Sequence, residues 1–164
     1  MTKKEKRLKL VKDCLKQLRY MNVQKGSYLN GTLCNINGKT SLKNEYIQLR
    51  NKCSVCGKGA LFLIHIMKFN NVLAEDIGWS DYNNNYQIHT DNENILETLK
   101  YFSQEQLDMI ECAFEREYYI NDLSDTKYNL ALKCVEFGWQ YRTPKARLRH
   151  ILENIIENDG VFKP

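Results

Sequence analysis

Leu8, Val11, Leu15 and Leu18 recur at helical spacing with lysines between them, which predicts an amphipathic first helix over residues 3–22. Gly26, Asn30-Gly31 and Asn37-Gly38 then interrupt the chain. That stretch reads either as a loop or as a small hairpin through Thr32-Leu-Cys-Asn-Ile36. Ser41 is placed to cap a short helix through Tyr46 and Leu49. In residues 53–67 the pattern changes, because Ala60, Leu61, Leu63, Ile64, Ile66 and Met67 are apolar almost all round. A helix apolar on every side belongs at the centre of a core. A short buried strand is the alternative, but the glycine start and the length to Phe69 favour the helix.

Residues 70–94 are polar, show no sustained period and read as a long surface loop. A short helix is expected over 94–102. Ser103-Gln-Glu-Gln106 has the form of a capping box, followed by Leu107, Ile110 and Phe114 on one face. A further helix fits 126–139, with Leu130, Ala131, Cys134 and Phe137 inward. Thr143-Pro144 is the clearest boundary, an N-cap with proline at the first helical position. Leu148, Ile151, Leu152 and Ile155 mark the apolar face of that last helix. Gly160 ends it, and Val161-Phe162 folds back. The expected fold is mostly α: residues 1–164 as a single compact helical domain of five to seven helices around a central buried helix, with at most one small β-hairpin.

At 164 residues the chain is long enough to bury a core unaided, since roughly 70% of unfolded surface disappears on folding at this size. The content, 43% hydrophobic and 27% charged, is that of a soluble globule and excludes a disordered tail. The longest apolar run, 60–67, is interrupted by His65 and falls far short of a membrane span. The charged N-terminus has no apolar region behind it, unlike a signal peptide. Six cysteines without an export signal suit free thiols in a reducing cytoplasm. Cys14, Cys112 and Cys134 lie in amphipathic stretches, where a thiol behaves as a small apolar side chain. The net charge of +4 permits an anionic partner without requiring one.

Three blocks bear on setting: Cys53-Ser-Val-Cys-Gly-Lys-Gly-Ala-Leu-Phe62, then Phe102-Ser-Gln-Glu-Gln-Leu107 with Ile110-Glu-Cys-Ala-Phe-Glu115, then Arg147-Leu148 with Ile151-Leu-Glu-Asn-Ile-Ile-Glu-Asn-Asp-Gly-Val-Phe-Lys-Pro164. In this order, spanning most of the chain from residue 53 onward, they resemble a family of small bacteriophage and prophage proteins. Gln24-Lys-Gly-Ser-Tyr-Leu29 ahead of them is similar to a looser group of phage proteins with a glycine-and-cysteine turn before a helix. The resemblance implies an accessory protein of a mobile element in a bacterial host cytoplasm, where many such proteins counter host defences. It carries over no catalytic residue.

Several sites are open. A thiolate at a helix start is stabilised by the helix dipole, so Cys53 or Cys56 suits a nucleophile. His89 would be the base, oriented by Asp91 or Asn92, with His65 as an alternative base. The same Cys53-x-x-Cys56 spacing supplies two zinc ligands, which Cys34, His65 and His89 would have to complete. No βαβ pattern accompanies it, as a redox pair would need. Gly57-Lys58-Gly59 at a helix start suits an anion held by backbone N–H groups and Lys58, without the spacing of a Walker motif. Its plainer reading is close helix packing.

Basic residues open the first helix (Lys3, Lys4, Lys6, Arg7) and the last (Arg142, Lys145, Arg147, Arg149). Cations there oppose the macrodipole, which suggests positive potential kept for an anionic partner, or else simply a solvated face. Tyr20, Tyr28, Trp139 and Tyr141 lie near these charges, as base stacking requires. No nucleic-acid-binding signature accompanies them. Trp79, Tyr82, Tyr86 and His89 form a further aromatic candidate in the polar stretch.

The leading expectation is a cytoplasmic binding protein for an anionic, nucleotide-like ligand or a host protein. Its ligand residues would be Gly57, Lys58, Gly59, Arg142, Lys145, Arg147, Arg149, Trp79, Tyr82 and Tyr86. It implies no cofactor and no membrane, and sets no oligomeric state. The alternatives are a cysteine hydrolase or transferase and a protein–protein interaction module.

Overall fold

The computed structural model describes residues 1–26, 28–69, 72–80, 85–90, 99–118 and 124–164. In chain order the elements are α1 (Lys3–Gln17), a 3-10 turn (Leu18–Tyr20), β1 (Asn22–Val23), β2 (Leu29–Leu33), α2 (Tyr46–Lys52), β3 (Ser54–Val55), α3 (Gly57–Phe69), α4 (Ala74–Ile77), β4 (Gly78–Ser80), β5 (Tyr86–Thr90), α5 (Gln104–Glu115), α6 (Asp125–Trp139) and α7 (Pro144–Glu157). The fold is mostly α, with seven helices among the described residues. Contacts divide the chain into two compact units: Arg19–Lys100, and a discontinuous one made of Met1–Leu18 with Tyr101–Pro164.

The discontinuous unit is helical. A capping box opens α1: Thr2 Oγ1 accepts the Glu5 N–H at 3.2 Å and the Glu5 carboxylate accepts the Thr2 N–H at 2.6 Å. Two of the four orphan donors of the helix start are thereby satisfied. Leu10, Val11 and Cys14 form its buried face. It packs along α7, and Lys4 pairs with Asp159 just beyond that helix, so the two run antiparallel. α5 and α6 approach closely at Gly138, where a Cβ would lie 2.0 Å from the Ala113 carbonyl oxygen. No other residue fits at that crossing without moving backbone.

Thr143 caps α7 through its hydroxyl, which accepts the Ala146 N–H at 3.2 Å, and Pro144 occupies the first turn. Gly160, at φ +91, turns the chain after the helix, and Phe162 returns into the core. Its return alters one expected feature. Ser103 does accept the Gln106 N–H, but the Gln106 amide reaches across to the Phe162 backbone, accepting its N–H at 2.6 Å and donating to its carbonyl at 3.3 Å. Holding the tail replaces the second half of the capping box.

The other unit is built on a five-stranded sheet in the order β1-β3-β2-β5-β4. β1 is parallel to β3, with Asn22 opposite Ser54, and the remaining pairs are antiparallel. This sheet is larger than the single hairpin expected. Its strands are short, and most of β2 is polar or glycine, so sequence period alone does not reveal them. The stretch 70–94 contributes α4, β4 and β5 where a loop was expected. Tyr86 and Ile88 of β5 are buried with half-buried Gln87 between them, a period-two signal only three residues long. The first helix ends earlier than residue 22 because Asn22 and Val23 pair with β3. The α3 helix is buried from Gly57 through Ile66, as its all-round apolar pattern requires. The helix expected over 94–102 falls largely on 91–98, outside the described residues.

Candidate functional site

The cysteine turn is closed. Cys53 and Cys56 are both buried. Burial pushes the Cys53 thiol up to about 12, so it holds its proton near neutral pH and is a poor nucleophile. Cys56 stands at the N-cap of α3, where its Sγ accepts the Gly59 N–H at 3.4 Å. Gly59 meets the chain itself, since a Cβ there would lie 1.5 Å from the Tyr28 carbonyl oxygen. Lys58, only 2% exposed, places its ammonium 5.6 Å from the Tyr28 ring centroid. Gly57 is buried as well. The end of α3 is therefore filled by the Tyr28 segment, and the glycines serve close packing.

Other candidates are dispersed. His65 is buried on α3, where desolvation and then Lys100 lower its pKa. Tyr86 is buried in β5. His89 pairs through its backbone with Asn30 of β2, and Trp79 stands opposite Gln87 in β4. Tyr82, Asp91 and Asn92 lie outside the described residues. Among the described residues no group of three or more His, Cys, Asp or Glu side chains is arranged to hold a metal ion. No helix among them is long and apolar enough to cross a membrane.

The junction of α6 and α7 is a different kind of place. Of the cations that open α7, Arg147 is turned inward and is 2% exposed. Its Nε donates to the Phe114 carbonyl at 2.8 Å, and its Nη1 donates to the carbonyls of Tyr141 and Arg142 at 3.2 and 3.1 Å. Burial and the neighbouring Arg116 pull its pKa down, and buried Glu115 pulls the other way. Arg147 is thus an internal tie for the turn between the two helices.

Arg116, which sequence reasoning missed, ties the same turn from outside. It ends α5 in the left-handed region at φ +62. Its Nε donates to the Gly138 carbonyl at 3.3 Å, and its Nη2 donates to the carbonyls of Tyr141 and Arg142. Two guanidiniums therefore share the carbonyls at the C-terminal end of α6, where the helix dipole favours positive charge. The Arg116 guanidinium also lies 4.5 Å from the Trp139 ring centroid. Trp139 itself is 63% exposed. A cation on one face of the indole leaves the rest of it presented to solvent in a fixed orientation. Nothing in the local sequence around Arg116 marks it, because its partners are backbone atoms more than twenty residues away.

After Trp139 the chain carries exposed Arg142 in the turn, then half-buried Lys145 and exposed Arg149 on α7. None of the three side chains meets a carboxylate among the described residues. The Tyr141 ring stacks on His150 at 3.9 Å. An exposed pair, Tyr118 just after α5 and Tyr128 on α6, stacks at 5.7 Å. Partial desolvation, Tyr128 and the nearby Glu136 raise the Tyr118 pKa. In the sheet-containing unit, exposed Tyr20 is flanked by the guanidiniums of Arg19 and Arg50 at 4.5 and 4.8 Å. No family model, curated protein or solved structure matches the chain.

Proposed function

We propose that this chain is an accessory binding protein of a phage or prophage that engages an anionic, nucleotide-like ligand in the host cytoplasm, through the surface where α6 meets α7. The sequence blocks supply the setting. One observation supports the ligand: an exposed indole, backed by an anchored guanidinium, ends α6, and the turn and helix that follow it carry three cations that no carboxylate of the described chain neutralises. An aromatic face and positive charge together match a base and its phosphate.

The charge order along α7 supports the same reading. It has no acidic residue in its first turn and no basic one in its last, and Glu153 and Glu157 lie in its second half. That order opposes the macrodipole and works against helix stability. The thiol chemistry of a hydrolase or transferase gains no support, because Cys53 and Cys56 are buried in packing.

Calorimetry with mono-, di- and cyclic nucleotides and short DNA and RNA tests the proposal, on the wild-type chain and on Arg142→Gln/Lys145→Gln/Arg149→Gln. Arg147 is left in place because it holds the fold. Saturable binding that weakens in the triple variant is expected. Silence across the panel would transfer the reading to a host protein as partner.

A further inference from the structure

Resting on that reading, we infer that the ligand is a single strand of nucleic acid, held without sequence preference by base stacking on Trp139 and by phosphate contacts along the start of α7. Free nucleotides are ordinarily taken into concave pockets that bury most of the ligand. Trp139, 63% exposed, does not sit in such a pocket. Two clefts of the helical unit are lined by other residues: one of about 360 Å³ by Gln104, Glu105, Asp108, Met109, Lys127 and Leu130, and one of about 410 Å³ by α1 residues that include Glu5 and Asp13. The indole stands on an open surface, and an open surface of ring and charge is how single strands are gripped.

The cations form a track longer than one phosphate requires. Lys145 and Arg149 lie four residues apart on α7, one helical turn or about 6 Å of rise. The phosphates meet side chains here, since Thr143 and Pro144 already occupy the helix end.

A protein partner fits less well. The core of a protein interface is depleted of charged residues. The residues flanking Trp139 on its helix, Glu136 and Gln140, are exposed and polar. A duplex buries its base faces, so it offers the indole nothing to stack on. The Tyr118 and Tyr128 rings already stack on each other at 5.7 Å, so that pair is not part of the track.

Fluorescence anisotropy with labelled oligo(dT) and oligo(U) of 5–20 nucleotides, competed by dTMP, UMP and a random duplex, tests this on the full chain. Affinity should rise with strand length and exceed that of either mononucleotide at least tenfold. Trp139→Ala should lose about tenfold in affinity, the scale of one base stack. Arg142→Gln/Lys145→Gln/Arg149→Gln should lower the slope of log K against log salt by about 2, three phosphates at the single-strand value. Tyr118→Ser/Tyr128→Ser should change neither. Circular dichroism of each variant confirms that it is folded. Equal affinity for a mononucleotide and a strand, both dependent on Trp139, would overturn the strand and leave the nucleotide-like ligand standing. Duplex competing as well as single strand, or strand binding indifferent to Trp139→Ala, would overturn the site. Binding to nothing would overturn both readings.

Discussion

At the start of α3 the chain closes over its own helix end: Tyr28 fills the space over Gly59, a thiol caps the first turn, and the ammonium of Lys58 lies near a tyrosine ring. At the start of α7 the chain does the opposite. One cation, Arg147, is spent inward on backbone carbonyls, while Arg142 and Arg149 stay exposed and Lys145 half-buried, a few residues after the exposed Trp139. Both starts are basic in sequence, and only the second presents its charge to solvent. The lesson is physical: a lysine between two glycines can be drawn into packing because the glycines let another strand of chain approach.

The largest effect expected from breaking this contrast is at Gly59. Gly59→Ala would set a methyl 1.5 Å from the Tyr28 carbonyl oxygen, so backbone must move. A loss of about 3 kcal/mol or more is expected. Gly26→Ala is the control, since its φ of +104 is strained for alanine but nothing lies within 4 Å. It should cost only about 1 kcal/mol. Urea unfolding of both variants checks the pair, and similar losses would mean that packing at Gly59 is loose.

Next comes Arg147. Arg147→Met keeps most of the side-chain volume but leaves the buried Phe114 carbonyl without its 2.8 Å donor. A loss of about 2–4 kcal/mol is expected, the scale of an unsatisfied buried polar group beside a broken charge cluster. Arg142→Gln, on the surface, should stay within about 0.5 kcal/mol. Equal effects would erase the distinction between the inward and outward cations.

That distinction marks how far the sequence could be read. The mostly α class, the central α3 and the Thr143–Pro144 boundary were legible, because each rests on local period or a capping pair. The sheet was not, because β1 and β3 are two residues long and owe their existence to partners distant in sequence. At the candidate site, Trp139, Arg142, Lys145 and Arg149 were visible as charge beside an aromatic. The inward turn of Arg147 and the part played by Arg116 were not, because both are set by tertiary carbonyls. Cys53 and Cys56 drew attention as a motif, yet their chemistry depends on burial, which spacing does not encode.

Titration probes the closed regions at smaller scale. Cys14, Cys53 and Cys134 are each pushed up by burial to about 12 from an ordinary 9.0. The folded chain holds these protons more tightly than the unfolded one, so their contribution is complete below pH 9 and is lost as pH rises toward 12. His65 has the opposite sign: its pKa is lowered below 6.5, so stability present above that pH falls as acid protonates the unfolded chain first. Denaturant midpoints across pH check both limbs, with His65→Gln flattening the acid one. Native alkylation near pH 8 should label half-buried Cys34 well before Cys53 or Cys56. Rapid labelling of either buried thiol would reopen the cysteine turn as a reactive site.

The smallest expected change in stability carries the sharpest meaning. Lys145 is the second residue of α7, where the macrodipole favours an anion. Lys145→Glu places a carboxylate there and sets it one turn before Arg149, so the helix should gain about 0.5–1 kcal/mol from the dipole and the new i,i+4 pair. Affinity for an anionic ligand should fall further than in Lys145→Gln, because repulsion replaces neutrality. A protein that becomes more stable while losing its ligand would show the cation at that position to be held against the interest of the helix. A gain in stability with binding unchanged would leave Lys145 as a solubilising charge, and a loss of stability would remove the dipole argument for the whole surface.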